Sequence, residues 1–284
     1  MPRNYTCFSR YLSSKKTLDD RALNRYVWDT LKATLPNKRL RIVELGAGIG
    51  TMIERVVEWD LVTQADYHAI DMSAANIQVL EDRVRQLACD GICVSAETAN
   101  IFDYIASNPQ RCDLLIAHHF LDLLPLEQAL PKLLSLLKPN GYFYFTLNFD
   151  GITAFEPSVH PSFDEQIERL YHATMDDRPT GGDSKCGRHL LQLLRECGAD
   201  LLASGSSDWV VHSEPNSRYH ADEAYFLHFI ISTIESALAA HPALDAEQFA
   251  RWVDTRHAQI DRGELMYFAH QLDVFGRITS PPLT

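Results

Sequence analysis

Through its first half the chain alternates short apolar runs with amphipathic stretches. Strand-like runs occupy 40–45, 66–70, 92–97, 113–118 and 141–149, and helical spacing fills 51–58, 73–88 and 126–138. Apolar strands separated by helices predict an α/β fold whose doubly wound, mostly parallel sheet is covered on both faces. Ahead of them, Asp19-Asp20 reads as a helix start, with Leu23, Tyr26, Val27, Leu31 and Leu35 on one stripe and Pro36-Asn37 as its stop. In the helix before the fifth strand, Pro131 suggests that the regular turns begin there.

After Asp150-Gly151 the rhythm changes. Residues 152–185 hold Pro157, Pro161, Pro179, Gly181 and Gly182 around one helix at 164–174, and their Phe, Tyr and His content suits a lid or substrate loop. A helix at 186–197 and a strand at 200–204 follow, with Trp209-Val210-Val211 extending that strand or forming another. Two long helices, 221–239 and 245–262, precede a closing strand at 264–275. The first of them gathers Tyr225, Phe226, Phe229, Ile230 and Ile234 on one face. The expected organisation is a helical lid at 1–37, a core at 38–150, and a remainder at 151–284 with helical insertions at 152–185 and 213–263.

The stretch from Arg41 to Thr51 carries the first chemistry. An apolar strand runs into Gly46, Gly48 and Gly50, and a helical pattern begins near Met52. Glycines there let the backbone turn sharply and let a ligand approach without meeting a Cβ. The second strand ends in Asp71, placed to hold a ribose hydroxyl. Together these predict an adenosine-containing ligand. A dinucleotide fold calls for a third glycine where this chain has Thr51, and Glu44 would repel a pyrophosphate while suiting an ammonium and a sulfonium. Each piece alone has a plainer reading: a strand-to-helix turn, a capping Asp71, a turn residue at Asn100. Their joint spacing, one at the end of each successive strand, favours a site.

On these residues the chain resembles the class I S-adenosylmethionine-dependent methyltransferases, whose first motif reads very like Val43-Glu44-Leu45-Gly46-Ala47-Gly48-Ile49-Gly50. The resemblance spans roughly 38–150 and includes Leu137-Lys138-Pro139-Asn140-Gly141, close to the family's Lys/Arg-Pro-Gly-Gly turn. It implies a seven-stranded Rossmann-like sheet under an N-terminal helical lid. It also implies that Glu44, Gly46, Ala47, Gly48, Asp71, Met72, Asn100 and Ile101 hold S-adenosylmethionine, with Asp71 on the ribose and Asn100-Ile101 flanking the adenine. The loop after the fourth strand would touch the methionyl part, with His118 contributing largely through its backbone. In the family the last two strands form a hairpin. Here helices intervene, which implies an insertion folded back over the acceptor site.

Methyl transfer from a sulfonium asks mainly for positioning and exclusion of water. A hydroxyl acceptor also needs a base, and His119 is the candidate, since adjacent residues leaving a strand face opposite ways. Packing alone is the plainer role for both histidines. Arg21, Arg25, Asn148 and Tyr171 are candidate acceptor contacts, with Tyr26, Asp150 and His172 behind them, although surface or core packing is the commoner role of each. An arginine among them would bind a substrate carboxylate bidentately. No metal is expected, because His118 stands where catechol-type relatives place an Asp and adjacent strand histidines point apart. The Asn/Asp-Pro-Pro-Tyr signature of amino methylation on bases is absent after the fourth strand.

Composition narrows the partners. The 284 residues carry a formal charge of −12, with no basic run beyond Lys15-Lys16 and Lys38-Arg39, which argues against nucleic acid and anionic membranes. The six cysteines form no Cys-x-x-Cys and read as free thiols of a reducing compartment. With no leader and no spanning segment, the expectation is a cytoplasmic monomer or homodimer. The sequence thus points to a metal-independent S-adenosylmethionine-dependent methyltransferase acting on a small molecule. A protein of the same fold that binds this cofactor without methyl transfer, as lyase, cyclase or sensor, is the alternative. A nicotinamide oxidoreductase is disfavoured by Thr51.

Overall fold

Three short helices precede the sheet: α1 (Phe8–Ser14), α2 (Lys16–Ala22) and α3 (Arg25–Thr34). The computed structural model describes residues 5–88, 90–109, 111–179 and 181–279. Strand and helix then alternate through β1 (Leu40–Leu45), α4 (Thr51–Glu58), β2 (Ala65–Asp71), α5 (Ala74–Val84), β3 (Ile92–Thr98) and α6 (Ile101–Ser107). They continue through β4 (Cys112–His118), α7 (Leu126–Leu134) and a long β5 (Leu137–Glu156). The remainder holds α8 (Pro161–Asp176), α9 (Cys186–Glu196), β6 (Ala199–Ser206), β7 (Trp209–Val211), α10 (Glu223–Leu238), α11 (Ala246–Asp261) and β8 (Met266–Ile278).

The sheet runs β3-β2-β1-β4-β5-β8-β6, and the three-residue β7 pairs with β8 off that path. The first five strands are parallel, and β8 is antiparallel to β5, β6 and β7. This is the doubly wound, mostly parallel Rossmann-like sheet of seven strands, with β7 as a short addition. Connections leave β1 towards β2 on one side and β4 on the other. That reversal opens a crevice at the carboxyl end of β1, where ligands bind in open α/β sheets. Side chains alternate across the strands. Ile42, Tyr67, Leu114, Ile116 and Tyr144 pack with the lid helices, while Val43, Leu45, Leu115, Ala117, Phe143 and Phe145 pack on the other face with α7 and α9.

Four expectations need correction. Asp19 and Asp20 lie inside α2; the following helix starts at Asn24, whose side chain accepts from the Val27 amide at 3.1 Å. That start fixes the register, so Val27, Trp28 and Leu31 are buried while Tyr26 is 65% exposed. Pro131 sits inside α7 rather than opening it, at the loss of one i→i−4 hydrogen bond. Asp164 does not begin α8 but binds the Val159 and His160 amides ahead of its first turn, at 2.9 and 3.1 Å. Finally, α6 was not expected, since seven residues capped by Asn100 give too little periodicity to read.

The helical insertion folds over the lid. α10 is apolar nearly all round because α1, α8 and α11 flank it, so its buried set extends beyond the expected stripe to Leu227, Ile231 and Leu238. Its N-terminus is pinned to the lid by Arg21 and Thr17 on Glu223 and by Arg10 on Asp222. Among the described residues no helix is long and apolar enough to cross a membrane.

Candidate functional site

At the end of β1 the backbone turns through Gly46, Gly48 and Gly50, with φ of +68°, +53° and +82°. Only glycine takes such angles freely, so the sequence fixes the turn. Asp71 at the end of β2 braces it: Oδ2 accepts from the Gly48 amide at 2.8 Å, and Oδ1 from the Ser73 amide at 2.9 Å and Asn76 Nδ2 at 3.2 Å. A carboxylate offers about four acceptor positions, so one is left for a ribose hydroxyl. Met72 stands at the rim, 78% exposed. The Ala99 amide on the Asp71 carbonyl (3.1 Å) draws Asn100 and Ile101 alongside, with Asn100 capping α6 through the Phe102 amide. Gly46, Ala47, Gly48, Asp71, Met72, Asn100 and Ile101 therefore line one cradle. Its roof is apolar: a Cβ on Gly48 would lie 3.3 Å from Leu12, and one on Gly46 would lie 2.4 Å from the Phe120 ring. Bare backbone with an acid beside it fits an adenosyl group.

Glu44 is placed differently from the expectation. It is buried beneath the cradle and accepts from the Tyr67 hydroxyl at 2.7 Å. Burial pushes its carboxyl up to about 8, against the opposing effects of Tyr67 and Arg55. At neutral pH it is largely protonated, so the expected charge contact with a sulfonium is corrected to a neutral acid packed under the turn.

Beside the cradle lies a buried charge cluster that joins the lid to the sheet. Lys15 Nζ and Asp19 Oδ2 pair at 2.7 Å, and the Trp209 indole donates to Asp19 Oδ1 at 2.9 Å. Arg55, fully buried on α4, donates to Asp20 at 2.6 Å and to His118 Nε2 at 3.1 Å. His118 Nδ1 then donates to Thr146 Oγ1 at 2.8 Å. Burial pushes His118 down to about 3, in agreement with a neutral ring accepting from Arg55; the Asp19 oxygen 3.4 Å away is a neighbour rather than its hydrogen-bond partner. Burial would raise the Asp19 carboxyl, but Lys15 and Arg55 hold it far below the usual range. The His118 side chain is therefore part of a scaffold that joins the N-terminal helices to the sheet.

His119 leaves the strand the other way, at a strained φ of +52°. Its amide donates to the Thr146 carbonyl (2.9 Å), its Nδ1 to the Leu147 carbonyl (3.1 Å), and its ring lies 4.8 Å from Trp209. Those bonds assign the tautomer with a lone pair on Nε2. Burial and nearby Lys15 lower its pKa, so the ring is neutral and able to accept a proton. Leu147, also at positive φ, is held by Asp273, which accepts from its amide and from that of Asn24 at 2.8 Å each. The His119 ring lies against Trp209, which meets Phe226, and Phe226 meets Tyr267, while Lys15, Asp122 and Asp19 act on His119 electrostatically. Burial pushes the Tyr171 hydroxyl up to about 12.

The two candidate arginines lie elsewhere. Arg21 is spent on Glu223 at 2.6 Å, and Arg25 lies over the Trp59 ring at 4.4 Å. Arg25 also donates to the Asp20 carbonyl at 3.3 Å. Asn148 is fully buried, donating to the Leu272 carbonyl at 2.8 Å, and its own carbonyl abuts Gly187. Asp150 is held by Arg188, and His172 packs 5.2 Å from Phe149. An open cleft of about 490 Å³ along α8, lined in part by Glu168, Arg169, His172 and Lys185, shares no residue with the cradle. Arg55 escaped the sequence reading, and Lys15, Asp19 and Trp209 entered it only as a basic run, a helix start and a strand. One signal existed: Arg55 interrupts the apolar run Met52, Ile53, Val56 on a short helix. Among the described residues no three His, Cys, Asp or Glu side chains are grouped to hold a metal ion.

Comparison with known proteins places this geometry. A family model described as a methyltransferase domain matches residues 36–179. No curated protein matches the sequence. A candidate methyltransferase from Bacillus halodurans C-125 is similar in structure, with a TM-score of 0.54 at 10% identity over 90% of this chain and 100% of that one. The YcgJ protein of Bacillus subtilis gives 0.50 at 12%, over 90% and 100%. A phosphoethanolamine N-methyltransferase from Haemonchus contortus, solved with S-adenosylhomocysteine, gives 0.50 at 12%, over 95% and 57%. At such identities the likeness is one of fold.

Proposed function

Because the chain belongs to the methyltransferase-domain family that matches its residues 36–179, we propose that it transfers the methyl group of S-adenosylmethionine to a small-molecule acceptor without a metal ion. The observation that carries this reading is where the glycine cradle lies. Braced by Asp71, it meets the loop after β4, whose Phe120 ring lies against Gly46 and whose His119 is buried and neutral beside Trp209. In this reading Gly46, Ala47, Gly48, Asp71, Met72, Asn100 and Ile101 bind the adenosyl donor. His119 accepts the proton that the acceptor loses, and the lid excludes water from the reacting atoms.

The charge of −12 supports a small acceptor rather than nucleic acid, and in this reading the protein is a cytoplasmic monomer or homodimer. Calorimetry with S-adenosylhomocysteine and NAD tests the donor site: binding of the first and not the second is expected, and indifference to both ends the reading. Release of S-adenosylhomocysteine in the presence of cell extract separates transfer from a protein that only binds the cofactor.

A further inference from the structure

His119, just past β4, and Leu147, within β5, both take the left-handed backbone, at φ of +52° and +53°. Neither is glycine, so each conformation has to be held by its surroundings. The cause lies in the pairing of β5 with β8. Phe145 pairs with Val274 and Asn148 with Leu272, so Thr146 and Leu147 stand opposite Asp273 alone. Two residues facing one make a β-bulge, a device that re-aims groups beside functional sites. In a regular antiparallel ladder a paired residue exchanges both its N–H and its C=O with one neighbour. Leu147 divides them. Its amide donates towards β8, to Asp273 Oδ1 at 2.8 Å, and its carbonyl accepts from His119 Nδ1 at 3.1 Å. The Thr146 carbonyl accepts from the His119 amide at 2.9 Å. Two successive carbonyls of β5 therefore hold His119, one by its backbone and one by its ring.

The bulge depends on Asp273. Its side chain is fully buried and stands in for the ladder carbonyl that the Leu147 amide lacks. Its other oxygen accepts from the Asn24 amide at 2.8 Å, where α3 begins, and Asn24 Nδ2 donates to the Ser206 carbonyl at 2.8 Å. Resting on the reading of His119 as the base of a methyltransferase, we propose that Asp273 is its positioning residue: by holding the Leu147 twist it keeps the His119 proton on Nδ1 and the lone pair on Nε2. Asp273 acts only through Leu147 and touches no reacting atom. Nε2 is the nitrogen left to take the acceptor's proton, because Nδ1 is committed to a carbonyl. Without the carboxyl, the Leu147 amide would be a buried donor lacking an acceptor. The backbone would then relax to an ordinary φ and withdraw its carbonyl from the ring. The same side chain anchors the first turn of α3, so the seating of the lid and the aim of the base share one support.

The test uses the full chain with isotopically labelled histidine, with and without S-adenosylhomocysteine, and His119→Gln to identify the His119 signals. Nitrogen NMR near neutral pH should show wild-type His119 protonated on Nδ1 alone. Asp273→Ala should give a mixture of the two neutral tautomers. It should also cut release of S-adenosylhomocysteine in cell extract by about ten-fold or more, a fraction of what a general base contributes, with the donor dissociation constant unchanged. Asp273→Asn has the same shape but leaves one acceptor oxygen for two amides, so it should show the mixture to a smaller degree. Wild-type His119 protonated on Nε2, or a pure Nδ1–H tautomer in Asp273→Ala, overturns the inference. Should Asp273→Ala fail to fold, a pure Nδ1–H tautomer in Asp273→Asn overturns it instead. These spectra need no acceptor, whereas the methyltransferase reading fails separately if wild type binds no S-adenosylhomocysteine.

Discussion

Asp71 serves two masters, the glycine turn and the proposed ribose contact, so its removal reads out in both. Asp71→Ala should weaken S-adenosylhomocysteine binding by about 1–3 kcal/mol, the usual worth of hydrogen bonds to a charged group. Calorimetry alongside a melting curve separates lost affinity from a loosened turn. His119→Ala should lower turnover with donor affinity nearly intact. Since the folded pKa of His119 lies below its ordinary 6.5, activity should rise with pH through that lowered value and be flat by neutrality; an acid limb centred above 6.5 would contradict a buried neutral base. Glu44 gives a stability signature instead. Its folded pKa of about 8 exceeds the unfolded 4.5, so the native state holds a proton that the unfolded chain releases. Stability should therefore fall as pH rises from about 4.5 to about 8, and Glu44→Gln should flatten that slope in urea titrations across the range.

At the scale of elements, α2 acts as a key inserted between α4 and β4. Asp19 alone meets Lys15, Arg55 and the Trp209 indole. Asp19→Asn should cost about 3–5 kcal/mol in chemical denaturation, because it leaves buried cations uncompensated. Its depressed pKa predicts that the same contribution is present above the unfolded value of 3.8 and lost as pH falls below it. The elements themselves were largely readable. β1, β2 and β4 announce themselves because strands covered on both faces are apolar throughout, and the glycines announce the turn because no other residue tolerates its angles. The lid was misread by one register, since Asn24 rather than Asp19 supplies the cap that phases α3. The buried charge cluster was hidden for a different reason. Residues 19, 55, 118 and 209 come from four separate segments, and periodicity within one segment carries no record of which others it meets.

At the scale of the molecule, the N-terminal helices pack against α10, which packs in turn against α11. Glu223 is the hinge pin, 1% exposed and shared by Thr17 and Arg21. Glu223→Gln should speed hydrogen exchange across residues 8–22 and the first turns of α10, with little change in β1–β4. Uniform protection in the variant would mean that apolar packing alone keeps the lid shut. The order of the sheet has a consequence of another kind. The strand at 266–278 sits between β5 and β6, so the right-hand third of the sheet has no partner until the ribosome has delivered those residues. The nascent chain must therefore carry β5 with one edge bare while both insertion helices are still being made, which exposes a strand edge to mispairing until β8 arrives.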